Sequence, residues 1–86
     1  MPKLLTSAQV RAARALVRWS AEDLARQCAV GVTTIRRAEL ADDETSMTAA
    51  NDRAVRYALE AAGVEFIDEN GGGPGVRLQK RQSKKG

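Results

Sequence analysis

The chain has 86 residues, enough for one domain with a small core, and a core of this size often needs a partner subunit for stability. Its single cysteine excludes an internal disulfide, and its lack of histidine removes the commonest metal ligand and general base. No apolar run approaches the ~20 residues of a membrane span, and we expect no signal peptide before the domain. We therefore expect a cytoplasmic protein with no cofactor and no enzymatic activity.

The net charge of +3 is distributed unevenly along the chain. Residues 1–40 carry seven basic and three acidic side chains, for a charge of +4, whereas residues 41–70 carry two basic and eight acidic ones, for −6. Residues 71–86 carry five basic side chains and no acidic one, for +5. This pattern fits a domain that presents a basic face to a polyanion, and it equally fits ordinary solvated surface charge.

The first half of the sequence predicts three short helices. Aromatic residues are scarce and small or aliphatic ones are plentiful, which favours packed helices over a β-sandwich or barrel. Thr6 and Gln9 form a capping-box pattern before a helix over 7–18. Ser20 then caps a second helix whose first turn holds two acids, and helical spacing of apolar residues predicts a third helix over 32–40.

One longer helix is predicted in the second half. The polar sequence ADDETS forms a connector, and either Ser46 or Thr48 caps the helix that follows it. Apolar residues at helical spacing continue to Ala62. Gly63 then stands where the glycine that follows a helix C-terminus belongs.

After the fourth helix the spacing of apolar residues changes to strand-like alternation. Residues 64–68 and 75–79 are strand candidates, joined by the turn-rich sequence ENGGGPG. An isolated two-stranded hairpin is marginal in water, so it must pack on the helices or pair with a second chain. We expect its apolar side chains to form a homodimer interface or to pack beside one: Val64, Phe66, Ile67, Val76 and Leu78.

Together these elements predict a mainly α fold, a small helical bundle with a C-terminal β-hairpin. The helical domain covers residues 1–63 and the hairpin covers residues 64–79. Residues 80–86, KRQSKKG, are expected to form a disordered basic tail that adds nonspecific attraction to a polyanion.

The second and third helices form a unit with distinct packing positions. In AEDLARQCAVGVTTIRRAEL, residues 21–40, Ala25 lets two crossing helices approach, Val30 fills the turn and Ile35 packs beneath it. Two short helices joined by a three- or four-residue turn make a helix-turn-helix unit. The stretch WSAEDLARQCAVGVTTIRRAE resembles the signature of the Cro/Xre family of phage-repressor-type DNA-binding domains. This resemblance implies a lambda-repressor-like bundle of four or five helices that binds operator DNA as a homodimer.

The resemblance also implies roles for individual side chains. The start of the third helix would face the bases, where threonine and arginine can contact base edges. The implied base-reading residues are Val32, Thr33, Thr34, Arg36 and Arg37, of which the last could equally hold a phosphate. Arg14 and Glu39 occupy positions that many members fill with an ion pair locking the first helix onto the third. The expected phosphate contacts are Gln9, Arg11, Arg18 and Ser20, with surface charge the alternative for the two arginines.

Three features depart from the family's pattern. Ala21 stands where members usually have a glutamine that grips a phosphate, so that clamp is absent. Ala29 occupies the turn position that usually holds glycine, where a left-handed backbone costs an L-residue about 1 kcal/mol. Gly31 and Val32 replace a polar pair that often begins base readout, and Gly31 is a candidate to supply the backbone freedom of the turn.

We therefore expect a sequence-specific DNA-binding transcriptional regulator of a bacterium or mobile element, cytoplasmic and associated with the nucleoid. It would bind double-stranded operator DNA as a homodimer through the recognition helix around residues 32–40. The alternative is a protein-interaction module whose acidic middle and hairpin bind another regulator or an RNA polymerase subunit. Ala21 keeps this alternative open, whereas the adjacent Arg36 and Arg37 argue against it.

Overall fold

The structure is a computed structural model that describes residues 4–79. These residues form four α-helices followed by a two-stranded antiparallel sheet. The elements in chain order are α1 (Ser7–Val17), α2 (Ala21–Cys28), α3 (Val32–Leu40), α4 (Ala49–Ala61), β1 (Val64–Ile67) and β2 (Gly75–Leu78). The predicted mainly α bundle with a C-terminal hairpin is confirmed, and the predicted basic tail lies outside the described residues.

α1 begins at the capping box that the sequence predicts. The backbone N–H of Gln9 donates to the Thr6 hydroxyl at 3.1 Å, and the backbone N–H of Thr6 donates to Gln9 Oε1 at 3.0 Å. The helix ends at Val17, one residue earlier than predicted, because Arg18 adopts a left-handed conformation with a φ of 60°. Both ends of α1 are therefore set by local backbone chemistry.

α4 also begins and ends at local signals. Of the two predicted caps, Thr48 is the one used, and its hydroxyl accepts from the backbone N–H of Asn51 at 3.1 Å. Ser46 lies before the cap, in a left-handed conformation with a φ of 66°. Gly63 follows the helix with a φ of 110°, a conformation that favours glycine, so its predicted place at the helix end is confirmed.

The core lies between the helices and continues under the hairpin. α2 packs on α3 and α4, while α1 packs on α3 and on both strands. The side chains with no exposed surface are Leu5, Val10, Ala13, Leu24, Ile35, Val55 and Leu59. Because these come from the segment before α1 and from all four helices, the orientation of each helix is fixed by packing against the others.

The hairpin pairs in the register that its apolar alternation predicts. Val64 faces Leu78 and Phe66 faces Val76, so these four side chains share one face of the sheet. Val64 is buried, Phe66 and Val76 pack against the core, and Leu78 is 52% exposed. The hairpin therefore packs on the helices of its own chain. The assignment of Val64 to a dimer interface is corrected, because its side chain belongs to this core.

Gln9 connects α1 to the hairpin from within. The residue is 4% exposed, and its Nε2 donates to the backbone oxygens of Gly75 at 3.1 Å and Ile67 at 3.4 Å. These contacts use both amide hydrogens, while Oε1 accepts in the capping box. The prediction that Gln9 holds a DNA phosphate is therefore wrong, because its side chain lies beneath the hairpin.

The segment between α3 and α4 is tied to the residues before α1. The backbone N–H of Thr45 donates to Leu5 O at 3.2 Å, and that of Ser7 donates to Asp43 O at 2.7 Å. The backbone N–H of Leu5 in turn donates to Asp52 Oδ1 at 3.0 Å, and Asp52 is only 5% exposed. Burial raises the pKa of the Asp52 carboxyl above its ordinary value, so the charged form is disfavoured in the fold.

Asp52→Asn tests this buried carboxylate through pH. Because the folded pKa is raised, the folded protein holds the proton more tightly than the unfolded chain does. Stability should therefore fall as pH rises from the ordinary aspartate range through the folded pKa. Asparagine keeps an oxygen that can accept from Leu5 and carries no charge. In urea unfolding, the wild-type protein should lose stability relative to this variant as pH rises across that window.

Asp23→Asn is a control with the opposite sign. The backbone N–H and hydroxyl of Ser20 lower the pKa of Asp23, so this carboxylate contributes stability above its unfolded pKa and loses it as pH falls through the folded pKa. The wild-type protein should therefore gain stability relative to Asp23→Asn as pH rises. If the wild-type protein also gains stability relative to Asp52→Asn as pH rises, the raised pKa of Asp52 is contradicted.

Candidate nucleic-acid interface

α2 and α3 are joined by a turn of three residues, 29–31, and pack on each other, as the connection of a helix-turn-helix unit requires. Val30 is 7% exposed and Ile35 is fully buried, which confirms their predicted packing roles. The backbone N–H of Val30 also donates to Ala25 O at 3.3 Å, which holds the turn against α2. The core therefore fixes the direction in which α3 leaves the turn.

Ala29 supplies the left-handed residue of this turn. It has a φ of 58° and a ψ of 34°, whereas Gly31 is extended, with a φ of −60° and a ψ of 143°. The prediction that Gly31 provides the backbone freedom of the turn is therefore wrong. The chain keeps an L-residue in a conformation that costs about 1–2 kcal/mol.

The predicted ion pair between α1 and α3 is present. Arg14 Nε donates to Glu39 Oε2 and Arg14 Nη2 donates to Glu39 Oε1, both at 2.8 Å, while Nη1 donates to Trp19 O at 2.9 Å. The Arg14 side chain is 25% exposed and that of Glu39 is 10% exposed. The hydrogen bond with Glu39 raises the pKa of the Arg14 guanidinium. One side chain therefore links α1, the corner before α2 and the end of α3.

Arg11, also on α1, contacts the same end of α3. Its Nη1 donates to the backbone oxygen of Glu39 at 2.6 Å. The last carbonyl groups of a helix have no partner within the helix, so an arginine there stabilises the helix end. The sequence predicts a phosphate contact or plain surface charge for Arg11, and the structure adds this contact with the end of α3. The residue is otherwise exposed.

Two of the expected phosphate contacts, Arg18 and Ser20, flank the corner between α1 and α2. Both residues are exposed. The Ser20 hydroxyl accepts from the backbone N–H of Asp23 at 3.0 Å, and the backbone N–H of Ser20 donates to Asp23 Oδ2 at 2.9 Å. The hydroxyl caps α2 in this way, and its hydrogen bond with the Asp23 carboxylate contributes to the lowered pKa of Asp23. The side chains of Arg18 and Ser20 are therefore both exposed at this corner.

The outward face of α3 is formed by residues at helical spacing. These residues are Thr33, Arg36, Arg37 and Leu40. Thr34 is half-buried, and Val32 is half-buried and packs against the core. Leu40 is 82% exposed and adds an apolar end to the face, beyond the predicted base-reading residues. Three of the predicted base-reading residues, Thr33, Arg36 and Arg37, are therefore exposed, and the other two, Val32 and Thr34, are half-buried.

Arg36 is held at this surface by a residue of α2. Its Nη2 forms a salt bridge with Glu22 Oε2, and the two side chains are 56% and 54% exposed. The partners are 14 residues apart, across a turn, so the sequence carries no periodic signal for the pair. Arg37 beside it pairs with no carboxylate among residues 4–79. The two neighbouring arginines therefore differ in how freely they can move.

No protein-family model matches the chain, and no curated protein matches its sequence. Within residues 4–79, no helix is long and apolar enough to cross a membrane. The same residues contain no group of three or more histidine, cysteine, aspartate or glutamate side chains that could hold a metal ion. The candidate interface is therefore defined by its geometry, a polar and basic helix face held in place by α1.

A double-mutant cycle on Arg14 and Glu39 tests this attachment. Arg14→Gln and Glu39→Gln should each lower the free energy of unfolding by about 1–3 kcal/mol, because each leaves a mostly buried charge without its partner. The double variant should lose less free energy of unfolding than the two single variants lose together. Urea unfolding of the wild-type protein, both single variants and the double variant gives the coupling free energy between Arg14 and Glu39.

The exposed pair between Glu65 and Arg77 is the matched control. It has the same bidentate form, with both contacts at 3.1 Å, but joins β1 to β2 at the surface. Its coupling should be clearly smaller than that of the Arg14–Glu39 pair, because solvent screens exposed ion pairs. Equal coupling in the two cycles would show that burial does not strengthen the Arg14–Glu39 pair.

Ala29→Gly tests the strain in the turn. Glycine relieves the left-handed conformation but loses more backbone entropy on folding, so the variant should be more stable by about 0.5–1 kcal/mol. Ala62→Gly is the control, because Ala62 also ends a helix but has a φ of −85° and no strain to relieve. It should lower stability by about 0.5–1 kcal/mol. Equal losses in thermal unfolding of both variants would contradict strain at Ala29.

Proposed function

We propose that the protein is a sequence-specific DNA-binding transcriptional regulator of the Cro/Xre type that places α3 in the major groove. The observation that carries this proposal is the outward face of α3, where Thr33, Arg36 and Arg37 are exposed while Ile35 is buried beneath them. Hydroxyl, methyl and guanidinium groups are the types that contact base edges in the major groove. A helix held on its inner face can present them with little ordering cost on binding.

The ends of α3 support the same proposal. Arg14 and Arg11 hold its C-terminal end against α1, and Val30 fixes the turn at its N-terminal end. Base readout requires side chains placed to within fractions of an ångström, which a helix attached only by a loop does not provide. This attachment therefore suits a helix that reads sequence.

Phosphate contacts would come from the cations beside α3. Arg18 and Arg37 are exposed and pair with no carboxylate among the described residues. Ser20 lies exposed at the start of α2, beside these cations. Such contacts would position the protein on the duplex and carry no sequence information themselves.

The regulator would bind DNA as a homodimer through its hairpin. Leu78 is 52% exposed and would contact the partner, whereas Ile67 is half-buried on the opposite face of the sheet and would lie beside the interface. Phe66 and Val76 pack on the core and would lie beside the interface. A two-fold pair of this kind would present two copies of α3 to two half-sites.

A second candidate function is a protein-interaction module, and the acidic side of the molecule favours it. The loop before α4 and the end of the hairpin line a cavity of about 110 Å³ that includes four carboxylates: Asp43, Glu44, Asp68 and Glu69. Such a surface repels phosphate and suits a basic segment of another protein, such as a second regulator or an RNA polymerase subunit.

Selection from random duplex pools distinguishes the two candidates. We expect an enriched palindrome whose half-sites lie about one helical turn apart, because a two-fold dimer repeats the same contacts. Arg36→Ala should weaken binding by about 1–3 kcal/mol and relax the preference at one base position if the side chain contacts a guanine. Arg53→Ala, which removes an exposed arginine from α4, should leave the preference unchanged.

Other outcomes of this selection contradict specific parts of the proposal. Affinity that is blind to sequence and disappears with added salt would leave charge attraction alone. An equal loss on every duplex would make Arg36 a phosphate contact rather than a base contact. An enriched site without two-fold symmetry would contradict the homodimer.

A further inference from the structure

The inference concerns Leu40, at the C-terminal end of α3, and rests on the proposed function. We propose that Leu40 is a further specificity-determining residue, whose side chain contacts the 5-methyl group of a thymine in the major groove. It would extend the reading surface beyond Thr33, Arg36 and Arg37. The contact would be apolar and would involve no hydrogen bond.

Leu40 is the most exposed large apolar side chain among residues 4–79. It is 82% exposed, compared with 74% for Tyr57, 52% for Leu78 and 37% for Leu16. Folding gains little from this side chain, because apolar surface stabilises a protein only where it is removed from water. Single exposed leucines are common on protein surfaces, so what distinguishes Leu40 is where it lies.

The backbone on both sides of Leu40 is held by α1. Arg11 Nη1 donates to the backbone oxygen of Glu39 at 2.6 Å, and the Ser7 hydroxyl donates to the backbone oxygen of Ala41 at 2.7 Å. Ser7 is 2% exposed and Glu39 is 9% exposed, so the chain is attached to the edge of the core at both points. Because both neighbouring carbonyl groups are bound, Leu40 is held with its side chain outward.

Leu40 lies on the face of α3 that carries the proposed base contacts. It follows Thr33 by seven residues, two turns of helix, and Arg36 by four. At a rise of about 1.5 Å per residue, Thr33 and Leu40 are about 10 Å apart along the helix. Neighbouring bases of one strand are about 3.4 Å apart. A helix lying along the major groove would therefore place Leu40 about three base pairs from the one that Thr33 meets.

The thymine methyl is the group that a leucine can recognise in the major groove. It lies among hydrogen-bond donors and acceptors, which an aliphatic side chain cannot bind. A leucine over a donor or acceptor would remove water from it without replacing the hydrogen bond, which costs binding free energy. Leu40 would therefore favour thymine through the methyl contact and disfavour a base that places a polar group there.

The charges around Leu40 limit the extent of this contact. Arg36 and Arg37 precede it on the same face, are exposed, and would attract the duplex to this side of α3. Asp42 and Asp43 follow it and are also exposed, and their carboxylates would repel phosphates. Leu40, which has no group that binds phosphate, would therefore be the last residue of α3 to touch the duplex.

The experiment uses the duplex that selection with the wild-type protein enriches. Each thymine of one half-site is replaced in turn by uracil, which pairs in the same way and lacks only the methyl group. Wild-type protein should lose about three- to fourfold in affinity at the thymine that meets Leu40, because one methyl group is missing from the contact. Leu40→Ala removes the contact from both half-sites and should bind the unsubstituted duplex about tenfold more weakly. Uracil at that position should then weaken its binding no further.

Two control variants show whether the effect belongs to an apolar side chain at this place. Leu40→Met keeps a long apolar side chain and should retain the loss caused by uracil. Tyr57→Ala removes another large exposed side chain, from α4, and should change neither the affinity nor the pattern of uracil effects. Leu40→Ala should also unfold at the wild-type temperature, because the side chain is 82% exposed, so its weaker binding would not reflect a loss of structure.

A duplex of mixed sequence gives a further test of Leu40→Ala. The variant should bind it with wild-type affinity and with the wild-type salt dependence, because leucine carries no charge that could displace counterions. An equal loss on the mixed and the selected duplex would make Leu40 a nonspecific contact and would overturn the inference.

The remaining outcomes separate this inference from the proposed function. Wild-type protein that binds the selected duplex specifically, with Leu40→Ala matching it, would overturn the role of Leu40 alone. A pattern of uracil effects that is the same in wild-type protein and in Leu40→Ala would do so as well. Wild-type protein that binds neither a mixed nor a selected duplex would overturn the proposed function and this inference together.

Discussion

The outward face of α3 depends on the ion pair between Arg14 and Glu39. α3 has nine residues and no side-chain hydrogen bond at its N-cap, so it has little stability of its own. Core packing through Ile35 and Ala38 fixes which face points inward. The bidentate pair, both contacts at 2.8 Å, also fastens the C-terminal end of the helix to α1. The side chains of the opposite face then occupy defined positions.

A second pair of the same chemistry, Arg36 with Glu22, differs from the first in its surroundings. Arg14 and Glu39 are mostly buried, so breaking them would leave charges that water cannot fully solvate. Arg36 and Glu22 are more than half exposed, so water replaces either partner at low cost. The first pair is therefore suited to permanent structure and the second to exchange. Solvent exposure, rather than the identity of the charged groups, decides between the two.

The helices and the hairpin could be predicted because local signals specify them, such as the cap at Thr48 and the alternation of apolar residues in the strands. The predictions failed where a tertiary contact decides. Gln9 looks like a surface residue of an amphipathic helix, but the hairpin covers it and takes its amide hydrogens. Gly31 has the better local propensity for a left-handed turn, yet that conformation falls on Ala29. The contact of Arg36 with Glu22 arises only when α2 and α3 cross, so no spacing in the sequence predicts it.

A titration of the backbone amide NMR signals with the selected duplex tests the central claim most directly, because it reports which surface meets DNA. The account predicts saturable shifts that are largest over residues 32–37, with smaller ones at the corner over residues 18–22. Residues 43–44 and 68–69, around the acidic cavity, should change little because their carboxylates repel phosphate. Shifts concentrated at those acidic residues, or no saturable shift in α3, would contradict it.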